Sequence, residues 1–489
     1  MIKNKAILAA QHIIKKIIHS NSALKQVSFV AGGTVVAQVL NIFILPVLSR
    51  VYSPADYGVM AVYSSVIAIL SELSGFRYHL AIPLPKQKRN ASALVFLSMI
   101  IQIVFVSIVS AVLFVCGDNI FKMLSIEVLI LYKYLIPLGL LAVGFYNILT
   151  QWAIRESLFS AIGRTKISQC LSGAVAKIGI GILGFKPLGL LIGVIIAQAG
   201  GITTLAHAAI EKEGLPSFKI KNICRVAFKY RKFPMYSTWF GVVNSAGANL
   251  PQLLLSSFYS FNVAGLYAMA SSILFLPSIF VGQAMGQVFI QRASVAKHSG
   301  NIANLSFRSY SLLLRIGFFP IALISFLAPS IFACFLGAKW GTSGIYAIAL
   351  VPFIAYNFAY SPLSMLYVIL DKQEIALLHE FMYAICRILS FLLGLIWNNP
   401  IISVLLYSMS CFFVQFFRII YMLHIAGNDT TKIIVVTFKI VTEALVLLIF
   451  PLICYVLHAN IFINSIIVII VFLIYFYRSY KVLNLEGII

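Results

Sequence analysis

Hydrophobic residues in this chain neither alternate with polar ones nor keep to a single helical stripe. They run on for about 20 positions until a glycine, a proline or a charge interrupts them. Such stretches fall at about 27–49, 57–80, 91–116, 128–150, 167–184, 188–210, 234–256, 263–289, 309–333, 343–370, 374–397, 400–424, 435–457 and 461–477. Runs of about 20 apolar residues are what an α-helix needs to cross a bilayer. The missing two-residue alternation excludes a barrel, the other structure that satisfies its backbone in hydrocarbon. The pattern predicts an all-α polytopic membrane protein with about fourteen transmembrane helices.

Composition agrees with the pattern. Of 489 residues, 61% are hydrophobic and 10% charged, against about 25% charged in a soluble globular chain, so a water-soluble enzyme is excluded. The connections are short and no GxxxxGK[ST] loop occurs, which removes ATP-driven transport by this chain and leaves an ion gradient, the membrane potential or a product sink as the energy source. The 7 cysteines are scattered without a CxxC pair, so no metal site, disulfide framework or cofactor is expected. The outer loops, short and nearly uncharged, leave little room for catalytic residues, and none is assigned.

The net charge of +23 changes the picture only once it is placed. Basic and neutral loops alternate: Arg50, Lys122, Lys186 and Lys339 are the only cations on one side, Lys133, Lys177, Arg315 and Arg387 lie in or at the edge of spans, and the others fall on the opposite side. By the positive-inside bias that side is cytoplasmic and holds both termini. The basic balance is then a topology signal, and nucleic acid is not needed as a partner.

A shift of 207 residues superposes the first span's exit on the seventh's. It pairs Leu48, Ser49, Tyr52, Ser53, Gly58, Ala61, Ser64 and Ser65 with Leu255, Ser256, Tyr259, Ser260, Gly265, Ala268, Ser271 and Ser272. A shift of 210 pairs Lys177-Ile178 and Leu183-Gly184 with Arg387-Ile388 and Leu393-Gly394. The expected organisation is a basic surface segment at 1–26, a six-helix bundle at 27–210, a basic cytoplasmic linker at 211–233, a second, pseudo-symmetric six-helix bundle at 234–424, and two further transmembrane helices with a tail at 425–489. Six intervening spans give the two bundles the same orientation. A transporter so built places its substrate near mid-membrane between them.

A charge at the bilayer centre costs about 2.5–3.5 kcal/mol on insertion scales. Lys133, Lys177, Arg315, Arg387, Glu72, Glu380 and Glu443 would together cost on the order of 20 kcal/mol facing lipid, beyond an ordinary folding stability of about 5–15 kcal/mol. They must line a wet cavity, pair, or sit shallow. The duplicated cations Lys177 and Arg387 are the first candidates for a cavity wall, against a structural pair with Glu72 or Glu380. Glu380 and Arg387, seven residues apart, share a helical face. Arg77 at a span end is open to snorkelling. Arg50 stands against the charge bias, Lys133 and Arg315 lie near helix beginnings, and Glu443 follows Lys439 at the spacing of a local ion pair. Asn249 and Gln252, with Asn41, Asn244, Gln283 and Gln287, either meet sugar hydroxyls or join helices.

The stretch Leu45-Pro46-Val47-Leu48-Ser49-Arg50-Val51-Tyr52-Ser53-Pro54-Ala55-Asp56-Tyr57-Gly58 resembles the first-loop signature of polysaccharide and O-antigen flippases (Wzx-type) of the multidrug/oligosaccharidyl-lipid/polysaccharide (MOP) exporter superfamily. So do Gly75-Phe76-Arg77-Tyr78-His79-Leu80-Ala81-Ile82-Pro83-Leu84-Pro85, Arg231 to Ser237, and Val263 to Ala268 with Gly282 to Phe289. His79 departs from the pattern, since family members often carry an acid there. The resemblance implies a flippase of undecaprenyl-pyrophosphate-linked oligosaccharide in lipopolysaccharide or related surface-polysaccharide synthesis. It would work by alternating access through a cationic central cavity of the bacterial inner membrane, with H+ or Na+ as coupling ion and polysaccharide polymerase machinery as a partner. Lys177, Arg387, Arg50 and Arg77 would then contact pyrophosphate or acidic glycan, Glu72 and Glu380 would gate or couple ions, and Lys133, Arg315, Asn249 and Gln252 would be secondary. The alternatives are a MATE-like ion-coupled drug exporter, which would want an acid-lined cavity, and a non-transporting scaffold.

Overall fold

The computed structural model describes residues 22–213, 220–282, 300–456 and 461–485, with 285, 286, 289, 292, 293, 296 and 297 between them. Most of the expected surface segment at 1–26, part of the 211–233 linker, Gln283, Gln287 and the last four residues lie outside the described residues. Helices follow one another as α1 (Ser22–Val51), α2 (Pro54–Ser74), α3 (Lys88–Met123), α4 (Leu135–Arg155), α5 (Phe159–Ile182), α6 (Leu188–Glu213), α7 (Ile220–Lys229) and α8 (Thr238–Phe258). Then come α9 (Phe261–Leu274), α10 (Ile302–Leu336), α11 (Gly341–Leu363), α12 (Gln373–Gly394), α13 (Pro400–Ile425), α14 (Thr430–Val456) and α15 (Ile461–Leu485). No strand occurs among the described residues.

Among the described residues each expected span overlaps a helix, and ten spans there are long and apolar enough to cross a membrane. The chain is an all-α, multi-pass membrane protein. α5 and α8 fall short of the apolar criterion; their sequences carry Lys166, Gln169 and Lys177, and Asn244, Asn249 and Gln252. α2 ends at Ser74 rather than near residue 80. Gly75 opens a turn in which Phe76 and Arg77 both hold left-handed backbone, with φ of 43° and 53°.

The chain packs as two units, one taking the described residues up to Leu48 with Val66–Val242, the other Ser49–Ser65 with Val243 onward. In the first, α5 lies along α6 through small residues. A Cβ at Gly173 would stand 2.9 Å from Ala197 Cβ, and one at Gly200 2.5 Å from Ser172 Oγ, the close helix approach that small residues permit in lipid. α1 meets α5 in the same way, Gly33 against the Gly163 backbone and Gly163 against the Phe29 carbonyl.

In the second unit the first turns of α2 and α9 pack backbone to backbone. Gly58 faces the Phe261 carbonyl and Gly265 the Pro54 carbonyl. Under the 207-residue shift Pro54 corresponds to Phe261 and Gly58 to Gly265, so the contact is reciprocal between repeat-related segments. Both helices begin with a repeat-related serine cap: Ser53 Oγ accepts from the Asp56 amide at 3.2 Å, and Ser260 Oγ from the Val263 amide at 3.2 Å. Beside this contact the short turn Ala338–Trp340 covers the end of α1. Lys339 Nζ donates to the Tyr52 carbonyl at 2.7 Å and Trp340 Nε1 to the Ser49 carbonyl at 3.0 Å. A cation on helix C-terminal carbonyls is favourable.

Gly58→Ala and Gly265→Ala each drive a methyl into a carbonyl oxygen, and unfolding in detergent should show a loss of about 1–3 kcal/mol. Gly32→Ala in α1, with nothing within 4 Å of the added carbon, should be neutral or stabilise by up to about 1 kcal/mol. Equal effects at the three positions would contradict the packing.

Candidate functional site

Lys177 sits on one face of α5 with Lys166, Gln169, Cys170, Gly173 and Ala174, and across from it α1 presents Thr34, Ala37, Gln38, Asn41, Ile44 and Leu48. Both sets recur at three- and four-residue steps, so each is a single helical stripe. The stripes, with Ala197, enclose a cavity of about 270 Å³ whose lining holds two lysines and no carboxylate. Lys166 Nζ donates to Tyr146 Oη at 3.2 Å, Gln169 Nε2 to Gln198 Oε1 at 3.1 Å, and Cys170 Sγ to Asn41 Oδ1 at 3.3 Å. The Lys177 stem lies against Gly193 of α6, where a Cβ would collide with its Cγ. Hydroxyl and amide groups grouped around two cations suit an anion that also carries hydroxyls.

A second polar pocket in the same unit, about 170 Å³, is lined by Ser71, Glu72, Arg77, His79, Leu80, Asn147, Thr150 and Gln151. Arg77 does not snorkel. Its Nε donates to Glu72 Oε2 at 2.7 Å, and its Nη1 to the Ser237 carbonyl at 3.1 Å. Gly241 lies over the pair so closely that a Cβ would stand 2.5 Å from both Arg77 Cζ and Glu72 Oε2. These bonds offset the left-handed backbone at Arg77, which costs about 1 kcal/mol or more. Outside the spanning helices, burial and the Arg77 guanidinium push the His79 imidazole down from 6.5 to about 4.

Arg387, in the second unit, is buried at 7% exposure. Its Cζ lies 3.6 Å from the Tyr383 ring centroid and 5.7 Å from that of Phe353. It makes no ion pair among the described residues, and its Nε has no hydrogen-bond partner there. Glu380, on the same α12 face, bonds instead to Arg418 Nη2 of α13 at 3.0 Å. Arg418 stands over Tyr360 at 4.7 Å and Tyr383 at 5.4 Å, so Tyr383 has an arginine near it from α12 and another from α13. Gln415 Nε2 donates to Asn357 Oδ1 at 2.9 Å and to Tyr383 Oη at 3.2 Å. Two guanidinium groups and one carboxylate leave this buried cluster with a net positive charge.

Glu72 is held by Arg77 and Glu380 by Arg418. Glu443 reaches past Lys439 to Arg315 at 3.3 Å, and Arg315 is 1% exposed. Lys133 is bound to Asp118 at 2.7 Å. Arg50 is exposed at the end of α1, its carbonyl 3.5 Å from Lys339 Nζ. Asn249 bonds back to the Ser245 carbonyl of its own helix at 2.9 Å, while Gln252 Oε1 is buried without a partner among the described residues. Arg418, Tyr383 and Lys166 were not foreseen as site residues. The one available signal was the 11-residue spacing of Lys166 and Lys177, three helical turns.

A model of a family described as polysaccharide biosynthesis proteins matches residues 47–344. The chain belongs to this polysaccharide biosynthesis protein family. Its fold is shared with solved flippase and transporter structures. It is similar to a lipid II flippase MurJ in an inward closed conformation, with TM-score 0.70 and 14% identity over 92% of this chain and 98% of that one. It is also similar to an inward-facing multidrug resistance MATE family transporter, with TM-score 0.62 and 14% identity over 79% of this chain and 95% of the other. A MOP superfamily transporter from Pyrococcus furiosus, described by a reversed polarity of its binding pocket, matches with TM-score 0.55 and 11% identity over 83% and 97%. No curated protein matches the sequence.

In this polysaccharide biosynthesis protein, the His79 imidazole lies near the Arg77 guanidinium. The unfolded chain binds a proton near pH 6.5 and the folded one only near 4, so stability is full above that window and falls as pH drops through it. His79→Gln should flatten the decline in melting temperature between pH 6.5 and 4. An unchanged pH profile would show that His79 protonates freely in the fold.

Proposed function

We propose that this polysaccharide biosynthesis protein is a flippase for undecaprenyl-pyrophosphate-linked oligosaccharide, an O-antigen or related surface-polysaccharide repeat unit. It carries the headgroup from the cytoplasmic to the periplasmic leaflet of the bacterial inner membrane, with both termini cytoplasmic. The observation that carries this reading is the carboxylate-free lining of the cavity holding Lys166 and Lys177. A pyrophosphate brings negative charge and strong acceptors, for which ammonium donors are the natural complement, and the hydroxyls and amides of Thr34, Gln38, Asn41 and Gln169 match sugar hydroxyls. Arg387 supplies the corresponding cation on the repeat-related helix. The prenyl tail need never leave hydrocarbon.

Glu72 and Glu380, each bonded to an arginine, serve as breakable latches, and H+ or Na+ supplies the coupling. A cation or drug exporter of the same fold would need exposed acid in its cavity, and the lining around Lys177 offers none. The described cavity favours the anionic cargo.

In a flippase-null strain scored for surface polysaccharide at matched expression, Lys177→Ala and Arg387→Ala should each lower the amount by about tenfold or more, the loss of one charge-assisted contact of about 1.5–3 kcal/mol. Lys177→Arg should retain most of it, and Arg50→Ala, at an exposed helix end, should lose less than either. Wild-type amounts from both alanine variants would refute the assignment.

A further inference from the structure

The surface helix α7 carries a feature that neither the topology signal nor the transport cavity uses. Its inner side is fixed: Val226 joins a buried cluster with Tyr78, Leu94 and Trp152, and Ile223, Ala227 and Tyr230 pack against it. Tyr78 Oη donates to the Ala227 carbonyl at 3.0 Å. Asn222 is buried and accepts, as a flipped amide, from Arg89 at the start of α3. The helix therefore cannot roll.

Its outer side is exposed and carries Cys224, Arg225, Phe228 and Lys229, continued by Arg231 and Lys232. Between residues 220 and 237 there is no Asp or Glu. In its middle stands Phe228, 69% exposed, with the Arg231 guanidinium 4.4 Å above its ring.

Loop lysines anywhere would satisfy the positive-inside bias. A locked helix with an exposed phenylalanine among its cations asks for a partner that is anionic and apolar at once. A bilayer interface is such a partner: headgroup phosphates meet the cations and the upper acyl region takes the ring. An acidic protein or nucleic acid would meet the charges and leave Phe228 wet. The chain runs from the span in α6 into α7 and on into α8, which tethers the helix close to the membrane plane. We propose that the outer face of α7 is a docking site for anionic phospholipid headgroups of the surrounding leaflet. Arg225, Lys229, Arg231 and Lys232 hold the phosphates, and Phe228 enters the interface. The site is independent of the transported cargo.

Cys224 lies one turn before Phe228 on the same face and reports on its burial. The full chain, with Cys116, Cys334 and Cys454 changed to Ser, is placed in nanodiscs of phosphatidylcholine alone or mixed with phosphatidylglycerol. Labelling by an uncharged, bilayer-impermeant maleimide is then timed. Each basic group at an anionic surface is worth about fivefold in binding, so labelling of Cys224 should slow by at least about fivefold in the mixed discs. High salt should abolish the slowing, since the screening length falls to about 3 Å at 1 M. Arg225→Gln/Lys229→Gln/Arg231→Gln/Lys232→Gln should remove the lipid dependence. Phe228→Ala, which leaves the inner face untouched, should weaken it. Equal rates in the two lipids, or slowing that persists in the four-fold variant, overturns the proposal. So does slowing that appears in phosphatidylcholine only when soluble polyglutamate is added, which would assign the face to an acidic protein.

Discussion

A charge inside a bilayer must be answered by an opposite charge, by water or by a ligand, and the inner organisation of this protein follows from how each of its charges is answered. Glu72, Glu380 and Glu443 are each committed to an arginine, Arg77, Arg418 and Arg315. Breaking such a buried pair by removing one partner is costly, so these acids hold elements in place. Lys166 and Lys177 of the α5 stripe line a cavity, and Arg387 lies on the face of Tyr383. A cavity lining with two lysines and no carboxylate suits an anionic cargo.

Close helix approach makes that distribution possible. Gly173, Gly193 and Gly200 let α5 and α6 touch, which turns the polar stripe of α5 toward α1. In the second unit the reciprocal Gly58 and Gly265 contact joins the starts of α2 and α9 with no side chain between them. The same duplicated segment carries the serine caps, so the repeat serves both to start the helices and to seat them.

The helices were legible because they are written locally, as apolar run length. The partners were not. Glu380 finds Arg418 at a separation of 38 residues and Glu443 finds Arg315 at 128, whereas local spacing suggested Lys439 for Glu443. Arg418 looks like a loop cation by sequence and is buried because a carboxylate and two tyrosine rings accept it. Lys166 looks like a loop residue because the apolar run begins after it; α5 starts earlier, at Phe159, and that added length puts a second ammonium on the stripe lining the Lys177 cavity. Likewise the outer face of α7 reads as a basic linker until its inner face is seen locked.

The account rests on cargo charge, and the direct measurement is transbilayer movement in liposomes containing the purified protein. A prenyl-linked glycan bearing pyrophosphate is compared with the same glycan on an uncharged prenyl ether, each scored by an impermeant lectin. The account predicts that the pyrophosphate form moves and the uncharged form does not. Equal movement of both would show that the cations around Lys177 and Arg387 do not select the cargo.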